Sequence, residues 1–187
     1  MLKPNVDAAF RRLVAALVGP EPLPAGGSAA VAAIAMGVGL GIKVTRISSA
    51  GSAGLGHTQH RLEAILEWML PEFTEDCAAF SNLLDVLRRP QDDTAREAGL
   101  EKAWRDATAA PVRVATVARE VEALLAGCGN EVKASVRADL GAALELVRAG
   151  RRIAEVNAQE NAQRLDPQLA RELLAPLDRG KGSAGAG

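Results

Sequence analysis

Leu62, Ile65, Leu66, Met69, Leu70, Phe73, Cys77, Phe80, Leu84 and Leu87 fall at i, i+3 and i+4 intervals along one unbroken segment. Spacing sustained in this way puts all of them on one face of a single helix about seven turns long, and such a helix needs partners of similar length to cover it. Pro71 withholds the N–H that would bond the Glu67 carbonyl, so a kink is expected near Trp68, and Pro90 stops the helix.

The rest of the chain reads the same way. Phe10, Leu13, Val14 and Leu17 share one face of an opening helix, about Val6 to Val18. Thr94 and Glu97 have the spacing of a capping box, which would start a helix carrying Leu100, Ala103, Trp104, Ala107, Val114, Val117, Val121 and Leu124, with Pro111 as a second kink and Gly127-Cys128-Gly129-Asn130 as its end. A further long helix is expected from about Val132 to Leu165, and Asp166-Pro167 opens a short amphipathic one through Leu177. No strand pattern, repeat or linker interrupts the series. With 3% aromatic residues and much alanine, the expected fold is all-α: an antiparallel bundle of long, partly kinked helices. One domain is expected over 1–178, followed by a disordered tail at 179–187. The apolar faces exceed what one bundle of this length covers, so a homodimer is expected.

Leu23-Pro24-Ala25-Gly26-Gly27-Ser28-Ala29-Ala30 runs directly into a helix of small apolar residues through Ile42. Glycines leave the first N–H groups of such a helix open to an anionic or carbonyl-bearing ligand. Two plainer readings stand beside this one: Ser28 as an ordinary N-cap, and Gly37 and Gly41 as a place where helices approach closely. A membrane span is disfavoured, because Ala29 to Ile42 is short and Lys43 and Arg46 follow it.

The formal net charge of -1 gives no electrostatic case for nucleic acid or an anionic membrane. The start of the chain lacks the apolar run of a signal peptide, and Cys77 and Cys128 are too few for a disulfide framework, so a cytoplasmic location is expected. His57 and His60 have no acidic or cysteine partner at metal-ligand spacing.

Polar residues on apolar faces are the candidates for chemistry. Asp76 lies between Phe73 and Phe80 on the apolar stripe, whereas Glu75 points away. Burial favours a protonated carboxyl and lifts its pKa toward the range useful in general acid–base work. A structural aspartate held by an arginine or a helix N-terminus is the alternative. Asp139, Asn157 and Asn161 share the stripe of Val136, Ala143, Val147 and Ala154. Asn157 and Asn161 are one turn apart and can aim two amides at one target, but Asp139 lies about 27 Å from Asn157 along a straight helix. It marks the far end of a long ligand, plays a structural part, or acts across a dimer.

Together, Pro24-x-Gly26-Gly27-Ser28, the small-residue helix with Gly37, Val44, Ile47 and Ser48, then Glu75-Asp76, Phe80, Pro90, Pro111, Cys128-Gly129-Asn130, Asp139, and Asn157 with Asn161 resemble the formiminotetrahydrofolate cyclodeaminase and methenyltetrahydrofolate cyclohydrolase family. The resemblance runs from about Phe10 to Leu165. It implies an all-α homodimer with a folate cleft, a tetrahydrofolate derivative as substrate, and no metal or organic cofactor. It implies reaction at the one-carbon unit on N5 and N10: closure of 5-formiminotetrahydrofolate to 5,10-methenyltetrahydrofolate with loss of ammonia, or hydration of the methenyl bridge to 10-formyltetrahydrofolate. Asp76 is then the expected proton-moving residue, with Gly26, Gly27, Ser28, Asn130, Asp139, Asn157 and Asn161 as candidate substrate-binding residues. The chain differs from the family pattern in Ala25, where a third glycine is usual, in Ala138 before Asp139, and in lacking lysines after the small-residue helix. These differences favour the alternative of a non-catalytic or differently tasked dimer on the same scaffold.

Overall fold

The computed structural model describes residues 4–49 and 53–178. The expected tail at 179–187 lies outside the described residues. Six α-helices follow in order: α1 (Pro4–Val18), α2 (Gly26–Ser48), α3 (Ala53–Leu87), α4 (Arg96–Gly127), α5 (Arg137–Ala162) and α6 (Pro167–Asp178), with a short 3-10 turn at Ala134–Val136. No strand occurs among the described residues. α3 and α4 run on through Pro71 and Pro111 as continuous helices.

Helices α2 to α5 form a ring in which each packs on its two neighbours, and α6 closes over α4 and α5. Side-chain pairs fix the directions. Arg46 meets Glu63 while Ser28 meets Asp76, so α2 and α3 are antiparallel. Arg61 with Glu120 and Glu72 with Arg113 make α3 and α4 antiparallel, and Arg119 with Glu155 and Asn161 with Ala107 do the same for α4 and α5. The core holds Ile34, Val38, Leu62, Met69, Val121, Leu125 and Val147, all fully buried.

Glycine lets α2 and α5 approach closely. A Cβ on Gly37 would lie 2.8 Å from the Ala143 carbonyl oxygen, and one on Gly150 would lie 2.7 Å from that of Ala30. Gly41 is likewise filled by Leu125, 2.5 Å from where its Cβ would stand. The close-packing reading therefore holds for Gly37 and Gly41.

Several local expectations are corrected. α2 begins at Gly26 with Ala25 at the cap, so Ser28 lies inside the first turn and is not the N-cap. The Thr94 capping box does not form, because α4 starts at Arg96, and the Asp93 carboxylate accepts the Ala95 N–H at 2.9 Å instead. The helix expected from Val132 starts only at Arg137, since the Lys133 N–H donates to Ser48 Oγ at 3.1 Å and holds that segment against the end of α2. Asp166 does cap α6, accepting the Gln168 N–H at 2.8 Å. Along α3 the buried face shifts beyond Phe80 to Leu83 and Val86, leaving Leu87 exposed. α2 begins at the level of Asp76, so past that level α3 has chiefly α4 to pack on.

α2 is also longer than the sequence reading allowed. It spans 23 residues at a mean hydropathy of 1.7 over its most apolar stretch, enough by length and composition to cross a membrane. Half of that stretch is buried inside the bundle. Length therefore does not separate a span from a core helix here; burial against α3 and α5 accounts for about half of the apolar stretch.

These contacts predict opposite signs for two alanine substitutions in α5. Gly150→Ala forces a methyl against the α2 backbone and should cost about 1–3 kcal/mol. Gly141→Ala, whose Cβ would meet nothing within 4 Å, should gain about 0.5–1 kcal/mol from helix propensity. Chemical denaturation of both variants checks the pair.

Candidate active site

The core is divided in two. One cluster occupies the body of the bundle; a smaller one joins Leu83, Val86, Ala103 and Ala107 with Phe80, Leu100 and Trp104. Between them opens a cavity of about 200 Å³, lined by Leu23, Ala25, Gly26, Gly27, Asp76, Ala79, Phe80, Ala107, Ala110, Pro111, Asn157 and Asn161. Its position follows from helix lengths: α3 and α4 continue past the start of α2, and the space above that start is left unfilled. Its walls are apolar apart from three side chains.

Those three are Asp76, Asn157 and Asn161, brought to one cavity from two helices. Asp76 faces the first turn of α2. Its carboxylate accepts the Ser28 hydroxyl at 2.9 Å and is also hydrogen-bonded by the Ser28 backbone N–H. Ser28 is wholly buried, and its Oγ lies 3.1 Å from Cys77 Sγ. Since the single hydroxyl proton goes to Asp76, the thiol is the donor in that second contact. Gly27 is required here, because a Cβ on it would lie 2.6 Å from Asp76 Cγ, whereas one on Gly26 would make ordinary contact with the Asn157 amide at 3.6 Å.

Burial pushes the Asp76 pKa upward, and the two bonds from Ser28 oppose that shift without cancelling it. No cation pairs with Asp76 among the described residues. Glu72, one turn before Asp76 on the same side of α3, pairs with Arg113 at 3.3 Å. Both sequence readings of Asp76 therefore meet in one residue: its carboxyl is held by a helix N-terminus, and it stands in a cavity with its ionisation made costly.

Asn161 donates Nδ2–H to the Ala107 carbonyl at 2.8 Å. Asn157 makes no side-chain hydrogen bond to any described residue, so its amide is free for a ligand. Asp139 lies elsewhere, paired with Lys43 at 2.7 Å near the opposite end of the α2–α5 contact. Asn130 is exposed in the turn after α4, apart from the cavity. The sequence reading missed the α4 wall of Ala107, Ala110 and Pro111, and also Leu23 and Ala79. The available signal was Pro111 set among alanines, which marks both a small-residue wall and an unbonded carbonyl one turn back.

Residues 9–179 match the formiminotransferase-cyclodeaminase family. The chain is 28% identical over 181 residues to the methenyltetrahydrofolate cyclohydrolase of Methylorubrum extorquens, covering 91% of this chain and 87% of that protein. Its fold resembles the crystal structure of formiminotetrahydrofolate cyclodeaminase from Thermotoga maritima, with a TM-score of 0.72 over 87% of this chain and 83% of that one at 19% identity. At that identity the likeness is one of fold.

The raised Asp76 pKa has a defined sign for stability. A carboxyl that binds its proton more tightly when folded loses stabilisation as pH rises from the ordinary carboxylate range through its raised native value. Asp76→Asn cannot ionise. Its Tm relative to the unsubstituted protein should therefore become more favourable as pH rises above the ordinary carboxylate range, and a difference that stays constant with pH would contradict the raised pKa.

Proposed function

Because the chain belongs to the formiminotransferase-cyclodeaminase family, we propose that it is a folate one-carbon enzyme acting at the N5/N10 bridge of a tetrahydrofolate derivative. The observation that carries this reading is the placement of Asp76: a carboxyl with raised pKa and no cationic partner among the described residues, on the wall of an apolar cavity that also holds two carboxamides. Ala79, Ala107, Ala110 and Pro111 offer flat walls to a planar ring system, and the amides of Asn157 and Asn161 offer donors and acceptors to its edge.

Either reaction of the family needs protons moved at the bridge. In cyclodeamination, N10 attacks the formimino carbon on N5 and its own proton passes to the imino nitrogen; a protonated Asp76 supplies the second proton, with which that nitrogen departs as ammonia and leaves the methenyl bridge. In hydration, water adds to the methenyl carbon and the Asp76 carboxylate takes its first proton and passes it to N5 as the carbon–N5 bond breaks; the remaining hydroxyl proton is released to solvent as the formyl C=O forms, leaving 10-formyltetrahydrofolate. A pKa raised above the ordinary carboxylate value favours the acid that the first route needs and makes the carboxylate a stronger base for the second. Ala25 and the absent lysines support the second reading, a dimeric scaffold that has lost or changed its activity.

Absorbance of the methenyl chromophore separates the readings. It should grow when 5-formiminotetrahydrofolate is offered to a cyclodeaminase, or decay when 5,10-methenyltetrahydrofolate is offered to a cyclohydrolase. Folded protein that does neither favours the scaffold. Where turnover is seen, Asp76→Asn should lower it by about 10²-fold or more with little change in folate affinity, and near-normal turnover would remove Asp76 from the chemistry.

The homodimer is part of the same proposal. α1 makes no more than marginal contact with the other helices, and Val6, Phe10, Val14, Leu17 and Val18 are exposed along it, Phe10 at 61%. An apolar helix left uncovered in this way supports association with a second copy. Sedimentation at micromolar concentration should give a dimer; a monomer throughout would refute it.

A further inference from the structure

Residue 111 is a proline inside a continuous α4, so it has no N–H to give to the carbonyl four residues earlier. That carbonyl belongs to Ala107, and it is the acceptor that Asn161 reaches from α5, with Nδ2 at 2.8 Å. An alanine at 111 would supply the helical bond and draw the same oxygen back along the helix axis, where two donors would share it. A carbonyl only accepts, so the contact also settles which end of the Asn161 carboxamide faces α4 and leaves Oδ1 as its unused acceptor.

We infer that Pro111 is a positioning residue: by leaving the Ala107 carbonyl open, it anchors Asn161 and sets the orientation of that amide in the cavity. All three residues line the same cavity as Asp76. The inference deepens the folate reading and rests on it for its kinetic consequence only, which is that the fixed Oδ1 meets an N–H of the substrate. A ligand with a hydrogen-bond donor at that point is favoured over one with only an acceptor there.

Pro111→Ala tests it. The variant should keep its helicity and a Tm no lower than that of the unsubstituted protein, since proline is removed from a helix interior. Its Asn161 side-chain amide resonances should shift as Nδ2–H loses the Ala107 oxygen, and kcat/KM for the folate substrate should fall by about tenfold. Asn161→Ala should cost as much, and the two combined no more than either alone, because they break one unit. Asn161→Asp, close in shape but with no donor when ionised, attacks the same bond from the other side and should match the loss. Additive losses would mean that the proline ring acts by direct contact with the ligand and would overturn the inference. So would Asn161 resonances that Pro111→Ala leaves in place, or full activity in Asn161→Asp. If the unsubstituted protein turns over neither folate, the folate reading fails, while the resonances still decide whether Pro111 positions Asn161.

Discussion

The backbone contact between α2 and α5 sets everything above it. With Gly37 against the Ala143 carbonyl and Gly150 against that of Ala30, the two helices have no freedom to rotate or slide without a collision. This register places Lys43 on Asp139 at one end and Gly26 beside Asn157 at the other. The cavity is thus located by packing in the middle of the bundle, at residues that touch no ligand. Any side chain at Gly37 or Gly150 would move the α2 N-terminus relative to the asparagines of α5.

Asp76 shows how such a frame holds a buried carboxyl without a countercharge among the described residues. Burial penalises its charge, yet the Ser28 hydroxyl and N–H solvate it well enough to keep ionisation accessible. A cation in the same place would have tied it down as a carboxylate. The cations of neighbouring layers are engaged elsewhere: Arg113 with Glu72, and Arg119 and Arg151 with Glu155. The helix terminus grips the carboxyl without supplying a full countercharge.

Helical periodicity made the bundle legible, because apolar spacing at i, i+3 and i+4 is imposed by α-helix geometry on any buried face. It also exposed Asp76, Asn157 and Asn161 as exceptions on those faces. What it could not reveal is which helices end first. That Leu83 and Val86 are buried and Leu87 is not depends on α2 starting at the level of Asp76, a tertiary fact with no local signature. The same holds for α1, whose apolar face is plain in the sequence although the chain itself leaves it uncovered. Asp139 stood out by the same rule as Asn157, and only the three-dimensional register separates its ion pair with Lys43 from the cavity. The glycines divide likewise: Gly37 serves packing and Gly27 admits the Asp76 carboxyl, and no spacing rule tells the two apart.

The division of the core into two clusters carries a mechanical meaning. The outer cluster is held chiefly by α3 and α4, and it joins the main one only through helix segments that border the cavity. A molecule filling that gap would replace missing core. It would tie the free ends of α3 and α4 to the start of α2 and the end of α5, so occupancy would be felt as cooperativity of the whole bundle. A gap in the core of this kind favours opening of the extension apart from the body, and a ligand across it would couple the two.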